Sequence, residues 1–443
     1  MAFVHDHSAE CTSSQLDIFS LPPTQTSILQ GHWVSHHPVT TIADNGPLEF
    51  VISGNEEYLS LSDSYLQISA KITGADGTDI EDASEVGPVN LFLHSLFSQV
   101  DVSLNGRLVS QSSSTYAYRA LLESLLNYGQ DATTTQLTSA MFYKDTAGNM
   151  EATNPGASPA TSNTGLKNRS KFTDGGKTVD MVGRLHSDIF MQDRYLLNSV
   201  DVKIKLHRSK DEFCLMASDH TAGYKVKILD AILHVRKAKL NPGVALAHAK
   251  GLERATAKYP VSRVLVKTFT VPAGDLSITK ENVFLGQLPK RIILGFVANA
   301  AFNGHYKRNP YNFKHYSVNK VGVYVDGMLV PMSESLNPNF AGESGYIAAF
   351  NTLFTGLNKH NKDNTGTVNR ADYKRGYTLM CFDLTADLCD FGHFNLQKTG
   401  NLRLELQFAD ALPETINVLV YAEFENVIQI DKSRNVIYDY GST

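Results

Sequence analysis

The sequence contains an internal repeat, and this repeat restricts the possible folds more than any other feature. When the chain is shifted by 221 positions, residues 91–109 fall on residues 312–330. The repeated unit spans about 200 residues, which is too long for one turn of a solenoid or one propeller blade. The chain is therefore predicted to contain two tandem copies of one domain. Seven of the nineteen aligned positions are identical, namely Phe92/Phe313, His94/His315, Val100/Val321, Val102/Val323, Gly106/Gly327, Leu108/Leu329 and Val109/Val330.

A β-hairpin is predicted at the same point in each copy. Asn105-Gly106 in the first copy and Asp326-Gly327 in the second follow segments of alternating apolar residues. Both central residues of a type I′ turn need a positive φ, which Asn, Asp and Gly adopt at low cost. This turn is therefore expected to join two antiparallel strands in each half of the chain.

The rest of each copy is typical of an all-β domain with few helices. A helix is predicted at residues 116–127, and its counterpart in the second copy contains Ile347, Phe350, Phe354 and Leu357 at near-helical spacing. We predict an all-β fold of two tandem eight-stranded jelly-roll sandwiches with a few short helices and long surface loops. Predicted strands include residues 48–52, 65–72, 200–207 and 224–235 of the first copy and residues 402–406 and 419–430 of the second.

Changes in local composition predict where the domains begin and end. Residues 145–178 are rich in Gly, Asn, Thr, Ser and Pro without apolar periodicity, which predicts a long protruding loop in the first domain. The first thirty residues are polar and without periodicity, which predicts a flexible arm. The predicted segments are an N-terminal arm (1–30), the first jelly roll (31–241), a helix-compatible linker (242–258), the second jelly roll (259–432) and a C-terminal tail (433–443).

Composition excludes several classes of protein. Hydrophobic residues make up 42% of the chain and charged residues 19%, so most of it is expected to fold around apolar cores. The net charge of −5 argues against a domain that coats nucleic acid through many Lys and Arg contacts. No apolar run reaches the roughly 18 residues that a membrane-spanning helix needs, and the polar N-terminus does not resemble a secretory signal.

The chain has four scattered cysteines, Cys11, Cys214, Cys381 and Cys389. Their spacing matches neither a disulfide framework nor a zinc motif. Reduced, buried thiols are therefore expected, in an intracellular and reducing compartment.

The sequence contains no nucleophile-elbow, phosphate-loop, dinucleotide-binding, zinc-protease or EF-hand motif. We therefore predict a protein that is not an enzyme and has no catalytic residue, cofactor or metal. The densest histidine group, His32, His36 and His37, is interpreted as part of a polar loop anchored by Trp33, with a metal site as the alternative. The histidines of residues 5–7 are a weaker metal candidate.

Five further residues were considered as ligands or hydrogen-bonding groups. His94 and His315 occupy equivalent positions of the repeat, and each is expected to make a structural hydrogen bond that is common to both domains. Asp383, Asp387 and Asp390 are interpreted as solvated turn carboxylates, with a cation site as the alternative.

One segment is the best candidate for contact with nucleic acid. Residues 305–316 alternate aromatic and basic side chains, which is a pattern that can stack on bases and neutralise phosphates. The preferred interpretation is a loop that leads into the hairpin of the second copy.

Two further groups of residues are given structural interpretations. Cys381 and Cys389 are expected to be small core residues. A charged strand face is predicted from Lys225, Lys227, Arg236, Lys237 and Lys239.

The segment 88–106, PVNLFLHSLFSQVDVSLNG, resembles the first-domain signature of double jelly-roll major capsid proteins. The most similar members are the hexon-like proteins of Polinton/Maverick elements and adintoviruses. Residues 241–242, 247–250, 257–263 and 287–289 are similar to the inter-domain region of that family. The resemblance covers residues 45–430, and it depends on the order and spacing of these motifs rather than on any one of them.

The resemblance implies a major capsid protein that forms a homotrimeric, pseudohexagonal capsomer in the icosahedral shell of a double-stranded DNA virus or virus-like element. The implied partners are neighbouring capsomers, penton proteins and minor capsid proteins, without a membrane span or direct binding of nucleic acid. The implied location is the virion, after assembly inside a eukaryotic host cell. The arm at residues 1–30 is expected to face the shell interior or to connect neighbouring capsomers.

Two other functions stay open from the sequence. Tandem β-sandwiches also occur in carbohydrate-binding proteins, although the single tryptophan of this chain argues against a sugar-stacking surface. A host-encoded relic of an integrated element would have the same fold and another role.

Overall fold

The structure is a computed structural model, and it describes residues 4–43, 46–82, 84–158, 161–363, 366–388 and 392–438. Within these residues, strands and short helices alternate along the whole chain. The strands of the first half are β1 (Ile28–His36), β2 (Leu48–Ile52), β3 (Tyr58–Thr73), β4 (Val86–Pro88), β5 (Phe97–Leu104), β6 (Arg107–Leu108), β7 (Val179–Gly183), β8 (Val202–Arg208), β9 (Leu215–Ala217) and β10 (Lys225–Leu240).

The second half repeats this succession of strands. Its strands are β11 (Ala257–Val271), β12 (Ser277–Gln287), β13 (Arg291–Ala298), β14 (Val318–Val325), β15 (Met328–Leu329), β16 (Leu379–Asp383), β17 (Thr399–Phe408), β18 (Ile416–Ile430) and β19 (Val436–Ile437). The helices of the chain are α1 (Phe92–Ser95), α2 (Tyr116–Asn127), α3 (Gln130–Thr134), α4 (Thr164–Ser170), α5 (Asp211–Cys214), α6 (Pro242–Leu252), α7 (Asn299–Asn303), α8 (Ile347–Thr355) and α9 (Arg370–Tyr373).

Each half of the described chain forms two four-stranded antiparallel sheets with the same strand order. The first half has the orders β1-β10-β3-β7 and β2-β8-β5-β6, and a short pair β4-β9 stands apart from them. The second half has the orders β11-β18-β13-β16 and β12-β17-β14-β15, with β19 added to β18. Numbered one to eight along either half, without β4, β9 and β19, the strands run 1-8-3-6 in one sheet and 2-7-4-5 in the other. This is a jelly roll, so the predicted fold class of two eight-stranded sandwiches is confirmed.

The internal repeat of the sequence is a repeat of the structure. Strand β14 begins and ends 221 residues after β5, and β15 lies at the same offset from β6. Both hairpin turns have two consecutive residues with positive φ, 46° and 80° at Asn105 and Gly106 and 48° and 83° at Asp326 and Gly327. The predicted type I′ turns are therefore present in both copies.

Each turn is also held by an equivalent side-chain contact. The Asn105 Oδ1 atom accepts a hydrogen bond of 2.7 Å from the backbone N–H of Asp201. In the second half, Asp326 Oδ1 accepts one of 2.9 Å from the N–H of Asn401. The two turns therefore have the same backbone conformation and equivalent hydrogen bonds to the adjoining segment.

Apolar side chains alternate along the strands and fill the space between the sheets. Since successive side chains of a strand point to opposite faces, one face is buried and the other remains polar. The fully buried side chains of the two equivalent strands β8 and β17 are Val202, Ile204 and Leu206 in the first half and Leu402, Leu404 and Leu406 in the second.

Three predictions need correction. Residues 31–36, interpreted as a polar loop, belong to β1, an edge strand that pairs with β10. This strand begins at Ile28, inside the predicted arm 1–30. The segment 145–178 is not a protruding, structureless loop, because it contains α4 and packs against the second half of the chain. Its Gly148 donates a backbone hydrogen bond of 2.8 Å to Arg375.

Candidate functional site

The most elaborate group of polar side chains lies between the two jelly rolls, and we call this region the interdomain joint. Helix α2 is at its centre, and eleven of its twelve residues are buried. The ring of Tyr118 is stacked on Phe302 of the second half at 5.4 Å between ring centres. Lys359 donates a hydrogen bond of 2.5 Å to the backbone oxygen of Leu126 at the other end of the helix. A helix that is apolar on one face alone would not be buried this completely.

The first polar cluster of the joint surrounds Arg169, which is fully buried in α4. Its Nη2 atom lies 2.7 Å from Asp145 Oδ1, and its Nε atom donates a hydrogen bond of 2.8 Å to the backbone oxygen of Pro88. The second half completes the cluster. Asn309 Nδ2 donates to Asp145 Oδ2 at 2.9 Å, and the hydroxyl of Tyr377 donates to the backbone oxygen of Asp145 at 2.7 Å.

The Arg169 cluster, defined as Asp145, Arg169, Asn309 and Tyr377, fixes the two jelly rolls to each other through directional contacts. A buried charge is costly unless it is paired and hydrogen-bonded, and both charges here are satisfied by several partners. A rotation of one jelly roll against the other would separate Asp145 from Asn309 and Tyr377. The cluster therefore specifies one relative orientation of the two domains.

The second polar cluster, the Glu123 cluster, consists of Arg119, Glu123, His186, Asp188 and Tyr421. Arg119 bridges two carboxylates, with Nε at 2.8 Å from Glu123 Oε1 and Nη2 at 2.8 Å from Asp188 Oδ1. His186 Nδ1 lies 2.6 Å from the other oxygen of Glu123. From the second half, the hydroxyl of Tyr421 donates to Glu123 Oε1 at 3.3 Å.

The electrostatics of the Glu123 cluster favour an ionised carboxylate. Burial raises the pKa of Glu123, but Arg119 and the hydrogen bond to His186 outweigh it and lower the pKa to about 2. The pKa of Asp188 is raised instead, because burial outweighs the attraction of Arg119. Arg119 lies 2.8 Å from both carboxylates, and Glu123 stays ionised at neutral pH.

The chain end adds a third contact between the halves. Strand β19 pairs with β18, and between these two strands Arg434 donates hydrogen bonds of 2.8 Å to both the backbone oxygen and the side-chain oxygen of Asn198. Asn105, at the hairpin turn of the first half, donates to the backbone oxygen of Arg434 at 2.8 Å. Residues after β18 thus contact the first jelly roll.

The two equivalent histidines make different contacts, so the predicted common hydrogen bond is wrong. His94 Nδ1 lies 3.0 Å from the hydroxyl of Tyr116, and burial lowers its pKa. His315 Nδ1 accepts a hydrogen bond of 2.8 Å from the backbone N–H of Ser317, and its ring is stacked on Phe340 at 4.3 Å. Burial and the nearby Lys374 lower the pKa of His315 to about 4. Each ring is a structural group of its own domain.

The other histidine candidates lie on β1, directly after it, and in the N-terminal arm. His32 and His36 are half-buried on β1, where His32 Nε2 is 3.7 Å from a Glu57 oxygen, and His37 is exposed. Trp33 packs against Tyr65 at 5.1 Å between ring centres. Among residues 5–7, the backbone N–H of His7 donates to His5 Nδ1. Within the described parts of the chain, no group of three His, Cys, Asp or Glu side chains is arranged to hold a metal ion.

Of the aspartates interpreted as solvated turn carboxylates, Asp383 differs from that expectation and Asp387 agrees with it. Asp383 is buried at the end of β16, where its Oδ1 accepts hydrogen bonds from the N–H and hydroxyl of Thr385, and Arg291 Nη2 lies 3.6 Å from Oδ2. Asp387 is exposed and lies 2.6 Å from His393 Nε2. Asp390 lies outside the described residues.

The described cysteines have unequal environments. Cys381 is buried as expected, and so is Cys214, whose thiol pKa is raised to about 12 by burial. Cys11 is exposed, contrary to the expectation of buried thiols. Cys389 lies outside the described residues.

Most aromatic and basic side chains of residues 305–316 make contacts within the protein itself. Tyr306, Tyr311 and Phe313 are buried. Lys314 Nζ lies 3.0 Å from a Glu151 oxygen and 3.6 Å from a Glu414 oxygen, and Arg308 pairs with the same two carboxylates. These rings are not available to stack on nucleobases, and Arg308 and Lys314 are already paired with carboxylates, which fits the interpretation as a loop before the second hairpin.

The predicted charged face of β10 is present in part. Its residues Lys225, Lys227 and Lys239 are exposed, and Arg236 is half-buried. Lys237 differs, because it is 7% exposed. The strand therefore presents separated positive charges rather than a continuous basic surface.

Both polar clusters of the joint were missed by the sequence analysis. One signal was available, since Arg119 and Glu123 are the charged residues of an otherwise apolar or small helix and are four residues apart. Asp145, Arg169, Asn309 and Tyr377 carry no such signal, because their contacts join residues that are 24 to 232 positions apart.

Comparisons with known proteins are most informative at the level of the fold. No protein-family model matches the chain. A chain in the cryo-EM structure of the Sputnik virophage is similar with a TM-score of 0.65 and 10% identity, covering 100% of this chain and 95% of that one. The mavirus major capsid protein gives a TM-score of 0.55 and 12% identity over 99% and 95% of the two chains. This chain has the double jelly-roll fold of viral major capsid proteins.

Two further relatives widen the comparison. The Faustovirus major capsid protein has a TM-score of 0.55 at 10% identity and covers 94% of this double jelly-roll chain and 92% of its own length. The "Uncharacterized protein F54H12.2" of Caenorhabditis elegans is 28% identical over 435 residues, which are 95% of this chain and 99% of that protein. The solved structures named here are major capsid proteins or come from a virus particle.

Proposed function

We propose that this chain is a major capsid protein that assembles as a homotrimeric, pseudohexagonal capsomer of an icosahedral shell. The single observation that carries the proposal is the repeated strand order 1-8-3-6 and 2-7-4-5 in two domains that are fixed by a buried joint. Three copies of a chain with two similar domains present six similar edges, so such a trimer can pack hexagonally on a closed surface.

The interdomain joint supports this role because a capsomer needs a constant shape. Contacts between domains of one chain are often modest, and relative motion is then the default expectation. Here Asp145 and Glu123 are buried and hydrogen-bonded from both halves. A trimer built from such chains would have six sandwiches in fixed positions, as a regular lattice requires.

The sequence resemblance supports a more specific proposal for the type of element, the partners and the location of the protein. The element type is that of Polinton/Maverick elements and adintoviruses, with a double-stranded DNA genome. Partners would be neighbouring capsomers, penton proteins and minor capsid proteins, and the protein would reside in the virion after assembly inside a eukaryotic host cell. No helix in the described residues is both long and apolar enough to cross a membrane.

Solution mass and electron microscopy test the capsomer. Light scattering of the purified chain should give about 146 kDa, three times the 48.7 kDa of one copy, and negative-stain images should show hexagonal particles or shells. A stable monomer that binds sugars would instead support the carbohydrate-binding alternative and would contradict the proposal.

A second candidate is favoured by one observation. The relative in Caenorhabditis elegans is encoded by an animal and matches nearly the whole chain. This chain could then act as the product of an element resident in a host genome, with the same trimer but without a virus particle. Expression of the full chain by itself distinguishes the two functions. Formation of shells supports a capsid protein, whereas a trimer that never assembles further supports a relic of an integrated element.

A further inference from the structure

The N-terminal arm contains a short apolar segment whose side chains are mostly exposed. Leu16, Ile18, Phe19 and Leu21 are 69%, 74%, 94% and 90% exposed. Single exposed apolar side chains are common, but four within six residues are typical of a segment that binds to another surface. We call residues 16–21 the arm segment.

An apolar groove lies at the root of the same arm. It has a volume of about 700 Å³ and runs between α6 and the first jelly roll. Ser27 and Ile28, where the arm enters β1, line one end of it. Helix α6 has no buried residue, so the side that faces the groove is not covered by its own chain. The apolar lining includes Leu197, Leu240, Val244, Ala247 and Leu252.

The charges of the arm and the groove are complementary. The first thirty residues contain Asp6, Glu10 and Asp17 and no lysine or arginine. The groove is lined by Arg194 and Lys258 and by one carboxylate, Asp193. Asp17 lies within the arm segment, so its carboxylate would approach this basic edge when the neighbouring apolar side chains enter the groove.

Hydrogen bonds and two prolines at the root of the arm favour a path that leads away from its own domain. The side chain of Gln25 is hydrogen-bonded to both the N–H and the oxygen of Ile28, at 2.8 Å and 3.1 Å. Asn241 donates to the backbone oxygen of Ser27 at 2.8 Å. Pro22-Pro23 precedes this fixed root, and consecutive prolines favour an extended, stiff backbone. A segment that precedes such a spacer cannot easily reverse into the groove beside its own root.

We propose that the arm segment of one copy docks into the α6 groove of a second copy of this chain. The inference deepens the proposed function, on which it rests, because it names the contact through which copies of the chain hold one another. Phe19 and Leu21 would fill the apolar groove beside Ala247, and Asp17 would face Arg194 and Lys258. The exchanged arm would bury the exposed segment and the exposed groove in the same step.

Cross-linking between two differently labelled full-length chains tests this exchange. One chain carries Phe19→Cys and the other Ala247→Cys, and both carry Cys11→Ser and Cys389→Ser to limit other thiol reactions. Positions 19 and 247 are exposed, so neither substitution removes a core contact. The chains are mixed, oxidised mildly and separated without reductant. Docking raises the local thiol concentration, so we expect about tenfold more covalent dimer than in the control pairs.

In each of two matched control pairs, one cysteine stays at its test position and the other is placed elsewhere on the chain. Thr12→Cys places the arm thiol outside the arm segment, and Leu276→Cys places the body thiol at an exposed position outside the groove. Phe19→Asp in place of Phe19→Cys gives a further test without cross-linking, since a charge at this position should reduce self-association of the full chain. Equal dimer formation in all pairs would overturn the inference.

The results separate the arm contact from the capsomer itself. A trimer by light scattering without selective cross-linking would overturn the arm exchange and leave the proposed function intact. Selective cross-linking of a particle that is not a trimer would support the exchange and contradict the proposed capsomer. A cross-link found only within single chains that carry both cysteines would show that the arm folds onto its own groove, and the proposal would be wrong.

Discussion

At the scale of single residues, the joint depends on a few buried charges whose partners come from both domains. Glu123 accepts contacts from Arg119, His186 and Tyr421 at distances of 2.6 to 3.3 Å. Such pairs add little stability compared with a well-packed apolar core, but the loss of one partner leaves a buried charge uncompensated. Their main effect is therefore to penalise every other arrangement of the two domains.

Replacement of Glu123 by glutamine should destabilise the fold strongly. The buried guanidinium of Arg119 would keep only Asp188 as a charged partner, and we expect a loss of about 3 kcal/mol in the free energy of unfolding. Urea denaturation measures this loss. Glu405→Gln is the matched control, because its pair with Lys320 is partly exposed and should contribute less than about 1 kcal/mol. Equal effects of the two substitutions would contradict the prediction.

Acid should destabilise the second jelly roll through His315. Burial and Lys374 lower its pKa from an ordinary value of 6.5 to about 4 in the folded chain, so the folded state favours the neutral ring. The unfolded chain binds the proton more readily, and the stability from this group is complete above pH 6.5 and decreases as the pH falls toward 4. Unfolding measured from pH 7 to 4 should show a flatter profile for His315→Gln than for the parent. The exposed His37→Gln serves as control, and an unchanged slope in His315→Gln would disprove the assignment.

At the scale of elements, the two hairpin turns have the same local structure in both halves of the chain. Each combines two residues of positive φ with a carboxamide or carboxylate that accepts the N–H of the adjoining strand. Glycine follows Asn105 and Asp326 because a Cβ atom is disfavoured at φ near 80°. Nothing lies within 4 Å of where that Cβ would be, so backbone strain is the sole cost of a substitution.

Alanine should therefore be destabilising at both turns by a similar amount. We expect Gly106→Ala and Gly327→Ala each to lower the free energy of unfolding by about 1 kcal/mol. Gly251→Ala in α6 is the matched control, because its φ is helical and its Cβ would also meet nothing within 4 Å. That change should stabilise by up to about 1 kcal/mol. Thermal denaturation of the three variants gives the sign directly, and a stabilised Gly106→Ala or Gly327→Ala would refute the assignment of strain.

The elements were predictable from the sequence where the relevant contacts are local. Alternation along β8 and β17, the spacing of α2 and the turn residues of both hairpins depend on neighbours within a few positions. The segment 145–178 was misjudged because its order comes from distant partners, such as Arg375 for Gly148 and Asn309 for Asp145. Polar side chains in a loop and polar side chains in a buried cluster have the same local pattern.

At the scale of the whole molecule, the two jelly rolls share one continuous apolar core. Contacts through α2, the Arg169 cluster and the Glu123 cluster connect them, so the free energy of one domain depends on the other. The sequence repeat predicted two domains but could not predict their coupling, because a repeat shows what the two halves share and not which residues of one half contact the other.

We expect both jelly rolls to unfold in one transition. The single tryptophan, Trp33, is in β1 and reports on the first half alone, whereas far-ultraviolet circular dichroism reports on all strands. Denaturation curves from the two probes should have the same midpoint. Separate midpoints in the parent chain would contradict a coupled joint.

Loss of the Arg169 cluster should divide this transition. Arg169→Met leaves Asp145 buried without its cation and should cost about 3–5 kcal/mol, with separate midpoints for the two probes. Arg308→Met is the matched control, because its pairs with Glu151 and Glu414 are partly exposed and the common midpoint should remain. Coincident curves in Arg169→Met would mean that other contacts couple the domains.

The contacts that residues after β18 make with the first jelly roll have a consequence for biosynthesis. Arg434 reaches Asn198, and Arg107 donates to the backbone oxygen of Tyr438 at 3.2 Å, so part of the surface of the first domain is covered by residues that follow the second domain in the sequence. During synthesis the first sandwich emerges well before these residues do. It therefore acquires its full set of contacts only after the whole of the second sandwich has been translated.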